Sequence, residues 1–108
     1  MVTIENGVIK ISGKEYPIGY LIPEVLKAIT QSATVRVLSH IPVGNETFLV
    51  QYIMYWYFDV NVFPYAAEKC LIKFKDSEVE ITFKFGEEKL TAFVRYEDVL
   101  EGIVHSMG

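Results

Sequence analysis

From Phe48 to Phe58 the chain reads Phe-Leu-Val-Gln-Tyr-Ile-Met-Tyr-Trp-Tyr-Phe, and Gln51 alone among these side chains is neither apolar nor aromatic. A segment of this kind offers water no face to solvate. It needs cover on both sides, from its own domain or from a partner. It is too short for a membrane helix, which takes about 20 apolar residues. Its β-branched and aromatic content predicts a strand. A buried helix is the alternative, because a continuous apolar run has no period to separate the two. As a strand it divides into Phe48, Val50, Tyr52, Met54, Trp56 and Phe58 on one face and Leu49, Gln51, Ile53, Tyr55 and Tyr57 on the other. At this length it exceeds the usual strand, so a bend or bulge within the run is expected.

The rest of the chain supplies the cover for one of those faces. Val2–Glu5 and Val8–Ile11 flank Asn6-Gly7, a hairpin signal because a tight two-residue turn needs positive φ at both central positions. Ser12-Gly13-Lys14 turns the chain again, and Pro17 confines a short strand over Glu15–Ile18 to an edge. Pro23 suits the first position of a helix ending near Ser32. Ile22, Val25, Leu26, Ile29 and Ala33 form its apolar stripe. Thr34–Ile41 reads as a strand with Val35, Val37 and Ile41 on one face and Thr34, Arg36, Leu38 and His40 on the other. After the aromatic run the pattern breaks at Asp59-Val60-Asn61, Pro64 ends any strand, and Tyr65–Lys69 suits one helical turn. Strands follow at Cys70–Lys75, Glu78–Phe85 and Lys89–Arg95. A helix over Tyr96–Ser106 has Val99, Leu100, Ile103, Val104 and Met107 on its apolar side, and Glu97 and Asp98 where the helix dipole favours acid.

Hairpin-length turns imply antiparallel pairing. The expected fold is therefore α+β: a mainly antiparallel sheet of five to seven strands with two helices packed mostly on one face. At 108 residues, without a Gly/Ser/Pro linker or repeat, the chain reads as one domain spanning 1–108. A chain of this size buries roughly two-thirds of its unfolded surface and needs neither disulfide nor metal to fold.

Alternation places Glu78, Glu80, Thr82, Lys84, Lys73, Lys75, Thr91 and Arg95 on the side away from the helices. That back face is mainly wet, yet Leu38, Leu49, Ile53, Tyr55, Tyr57 and Phe93 also point to it. Clustered together they make an apolar, tyrosine-rich patch, and an uncovered patch above a few hundred Å² marks a contact site. The expectation is an interaction module that self-associates or binds a protein partner there. A symmetric homodimer is the default form. The alternative is a small-molecule binding protein, with or without catalysis, whose pocket lies between sheet and helices near Tyr52, Trp56 and His40.

Other chemistry finds less support. Ten basic against fourteen acidic residues give a net charge of −4, which disfavours a protein held on nucleic acid or anionic lipid by its general field. Basic residues among aromatics on the back face keep single-strand binding as a minor alternative. Neither His40 nor His105 has a His or Cys neighbour at metal-ligand spacing, so no metal and no cofactor is expected. His105 suits the C-terminal end of its helix. Cys70, the one cysteine, shares a face with Ile72 and Phe74 and reads as a small core hydrophobe rather than a nucleophile. Asp59 beside the aromatic run is a candidate acid or base, with turn formation as the simpler role. No catalytic constellation emerges. The absence of disulfide pairing and of a basic, apolar leader points to the cytoplasm.

Overall fold

The computed structural model describes residues 2–30, 34–58, 61–64, 68–85 and 87–107, and their side chains except at 30, 34, 54–58, 61–64, 85 and 102–107. The strands are β1 (Val2–Glu5), β2 (Val8–Ile11) and β3 (Lys14–Pro17), then β4 (Thr34–Gly44), β5 (Thr47–Phe58) and β6 (Asn61–Pro64), then β7 (Glu68–Phe74), β8 (Glu78–Phe85) and β9 (Glu88–Arg95). Helix α1 (Ile18–Thr30) follows β3, and α2 (Tyr96–Met107) follows β9. This is an α+β fold with antiparallel pairing throughout. None of its described helices is long and apolar enough to cross a membrane.

Two sheets form. β1, β2 and β3 make a small meander, and the other six strands make the large sheet in the order β4-β5-β7-β8-β9, with β6 also pairing β5. The meander owes its shape to its turns. Asn6 and Gly7 have φ of 54° and 75°, and Ser12 and Gly13 have 50° and 85°. Asn and Gly reach that region at least cost, which makes the first turn the tighter determinant. Pro17 ends β3 on the open side of the meander, where its missing N–H breaks no ladder.

Helix α1 begins five residues earlier than Pro23 suggests, and Pro23 lies inside it. Burial overrides the local signal here. Ile18, Leu21 and Ile22 are buried together with Val25 and Leu26, continuing one stripe at i, i+3, i+4, i+7 and i+8. The N–H of Ile18 donates to the Gly7 carbonyl at 3.0 Å, tying the helix start to the first hairpin. Pro23 withholds only the hydrogen bond that the Gly19 carbonyl would otherwise accept.

The large sheet buries one face. Val35, Phe48, Val50, Tyr52, Cys70, Ile72, Phe74, Val79, Ile81, Phe83 and Val94 are all buried, in one cluster with Val2, Ile9 and Ile11 of the meander and the α1 stripe. Phe48 and Phe74 meet edge to face, as do Tyr52 and Phe83, a geometry that adds to their area burial. The Val2 N–H donates to Asp76 Oδ1 at 3.1 Å, joining the meander to the β7–β8 turn.

The aromatic run lies within a strand of twelve residues, β5, which also takes in Thr47. The expected irregularity lies in its neighbour instead. β4 carries two register shifts against β5, between Val37 and Ser39 and between Pro42 and Gly44, so Leu38 and Val43 are extra residues. The first shift reverses the sides on which later residues stand. His40 therefore pairs with buried Val50 on the helix side, and Ile41 pairs with Leu49 on the outer side, opposite to simple alternation. The chain after the run also differs from expectation. Asn61–Pro64 is a strand folded back on β5, and β7 starts at Glu68, so Glu68 and Lys69 are extended rather than helical. A helical turn at residues 65–67 and the role of Asp59 lie outside the described residues.

Candidate functional site

Strand register builds the outer face of the large sheet row by row, since directly opposed residues share a side. Ile41 opposes Leu49, Leu49 opposes Leu71, Leu71 opposes Thr82, and Thr82 opposes Thr91. Three consecutive strands thus contribute one aliphatic row, Ile41–Leu49–Leu71. Ile41 is 53% exposed and Leu71 40%, while Leu49 between them is half-buried. Leu38, at the bulge, is exposed, and Ile53 is half-buried opposite Arg36.

Charge frames the row unevenly. Lys69 and Lys73 flank Leu71 along β7, Gln51 and Thr47 flank Leu49, and Arg36 lies opposite Ile53. Among the described residues this half of the face carries three cations and no acid. The other half is mixed. Glu80 opposes both Lys73 and Phe93, and Lys75 Nζ lies 3.6 Å from Glu80 Oε1 and 5.7 Å from the centre of the Phe93 ring.

The six residues expected to form the patch therefore separate. Leu38, Leu49 and Ile53 come together on β4 and β5. Phe93 is on the same face but on β9, with β7 and β8 between it and Leu49. Tyr55 and Tyr57 continue β5 and pair with Pro64 and Val62 of β6, their side chains lying outside the described residues. Two members of the site went unrecognised. Leu71 was legible, because Cys70, Ile72 and Phe74 facing inward require it to face outward. Ile41 was not, because nothing local announces the bulge at Leu38.

The alternative pocket residues do not converge. Tyr52 is buried, packs on Phe83, and donates a long hydrogen bond of 3.3 Å to Glu68 Oε2 across the strand pair. His40 is exposed beside Phe48, with ring centres 6.2 Å apart. The Trp56 side chain lies outside the described residues. His40 instead borders an open groove of about 590 Å³ between α1 and β4, lined by Gly19, Pro23, Val37 and Ser39 among others.

Nucleophilic chemistry is disfavoured at the one thiol. Burial, then the nearby Glu68 carboxylate, pushes Cys70 up to about 12. Burial and the neighbouring Cys70 and Glu68 likewise hold the Tyr52 phenol above its ordinary range. Both groups stay protonated at neutral pH and act as core. Among the described residues no charged side chain is buried, and no three of His, Cys, Asp or Glu come close enough to hold a metal. Compared with known proteins, the chain matches no family model, no curated protein and no solved structure.

Proposed function

We propose that the protein is a non-catalytic interaction module whose outer sheet face, over β4, β5 and β7, docks a protein partner. The observation that carries this reading is the Ile41–Leu49–Leu71 row, left open on a sheet whose opposite face buries Val35, Val50, Ile72 and Ile81. A contiguous apolar strip framed by polar residues is how contact sites differ from the scattered exposed hydrophobes of any surface. Arg36, Lys69 and Lys73 specify the chemistry of the occupant: an apolar centre with an acidic rim. A second copy centred on the same row would bring these cations against their own kind. Single-stranded nucleic acid fits less well, because its bases stack on aromatic rings and the row is aliphatic.

The test is comparative capture from the source cell with wild-type protein and Leu71→Lys as baits. A protein held by the first and lost by the second supports the reading. Identical captures with both baits would overturn it. A second reading, a small-molecule site, is favoured by the groove beside His40, where Arg36, Ser39 and His40 offer polar groups next to apolar Val35 and Val37. Ligand-induced NMR shifts confined to His40 and Gly19 would support it.

A further inference from the structure

The large sheet has two ends, and they are built differently. The β4 end is blunted. It contains Pro42 and two bulges, devices that spoil an edge as a template for another strand. The β9 end has neither proline nor bulge and is protected only by the charges Glu88, Lys89 and Arg95. β9 pairs with β8 without a break from Glu88 to Arg95, and it is hydrogen-bonded to β8 alone among the described strands. It has neither Pro nor Gly. It also exposes large apolar side chains on both faces, Leu90 at 58% on the helix side and Phe93 at 53% on the outer side. On the helix side of β9, Val94 is buried and Leu90 is open.

We propose that this edge is completed by β9 of a second copy, paired antiparallel about a two-fold axis at Thr91, so that two large sheets become one. The inference concerns a surface other than the docking face and does not depend on it. A two-fold perpendicular to the sheet keeps each copy's helices on the same side, so only pairings between residues of the same face are allowed. Centring on Thr91 opposes Leu90 to Ala92 of the second copy, Lys89 to Phe93 and Glu88 to Val94, and brings Glu87, in the turn just before β9, beside Arg95. Each of these contacts occurs twice. The two copies then exchange opposite charges at the ends, lay the lysine stem on the half-open phenylalanine ring, and bring the two leucines diagonally together on the helix side. Shifting the axis to Ala92 would instead set Lys89 against Arg95 twice, and like charges directly opposed are unfavourable. Of these two registers, charge complementarity favours the one centred on Thr91.

Cysteine cross-linking tests it. In Thr91→Cys the two thiols face each other across the axis at about 4.5–5.5 Å between Cα atoms, within disulfide range. Buried Cys70 does not compete. The expected result is a covalent dimer from Thr91→Cys under mild oxidation and none from Thr82→Cys, which is one strand further in on the same row. Wild-type protein should have a dimeric mass in solution. Arg95→Glu should weaken the dimer at least about tenfold, and Glu87→Arg in the same chain should restore it. A monomeric mass at all concentrations without a Thr91→Cys cross-link would overturn the inference. So would equal cross-linking at Thr82. Leu71→Lys should leave the cross-link intact, which keeps failure here separate from failure of the docking face.

Discussion

Leu71 and Ile72 are neighbours on β7 with opposite fates, and substituting each in turn tests the assignment of the two sheet faces. Ile72 is fully buried between Phe48 and Ile81 on the adjacent strands. Ile72→Ala removes a side chain from a region that cannot readily collapse, and should cost ~2–5 kcal/mol. For a domain of this size that lowers the melting temperature by at least about 8 °C. Leu71→Lys exchanges an outward-facing side chain and should change stability by no more than ~0.5 kcal/mol. Its effect appears on binding. Covering the 40% of Leu71 that is exposed returns two-fifths of the full burial energy of a leucine. That is ~0.6–1.2 kcal/mol, or about three- to eightfold in affinity. A lysine ammonium forced under the partner beside Lys69 and Lys73 adds its own desolvation, which carries the loss past about tenfold. Thermal unfolding by circular dichroism reads the first quantity and partner titration the second. If Leu71→Lys melts as early as Ile72→Ala, the outer face is core and the docking proposal falls with it.

Three further expectations follow from groups already described. With its thiol pushed up to about 12, Cys70 holds only about one thiolate in ten thousand at pH 8, so a thiol reagent should label it in denaturant and leave the native protein unmodified. The folded state keeps protons on Cys70, Tyr52 and Tyr96 that the unfolded chain surrenders from about pH 9 upward. Stability from these groups is therefore complete below pH 9 and is lost as pH rises toward 12. Denaturant midpoints measured from pH 7 to 11 should fall above 9, and a flat profile would contradict the burial of these groups. At Gly7, φ is +75° and an added Cβ would touch nothing, so Gly7→Ala should cost ~1–2 kcal/mol through backbone strain alone, read from the denaturant midpoint.

Elements whose signals are local were legible in the chain. The Asn6-Gly7 hairpin, the strict alternation of Val79, Ile81 and Phe83 with Glu78, Glu80 and Thr82, and the α1 stripe each follow from neighbours within a few residues. The misreadings occur where distant parts decide. Ile18, Leu21 and Ile22 extend α1 back past Pro23 because they are buried in a core that takes in both sheets. Asn61–Pro64 becomes a strand because the far half of β5 has an edge to fill. The site was half visible for the same reason. Leu49 and Ile53 follow from β5 alone, whereas Ile41 depends on an insertion in its partner and Phe93 on a strand order that separates it from the rest.

The extra residue in β4 has one more consequence. Val37 opposes Tyr52 and Ser39 opposes Gln51, so Leu38 occupies a place that the opposing chain leaves blank. Removing it would close the gap without sliding any other pair. Relatives one amino acid shorter should thus arise in the middle of this hairpin arm, a location where length change ordinarily scrambles a protein, and they would lack the leucine that borders the aliphatic row.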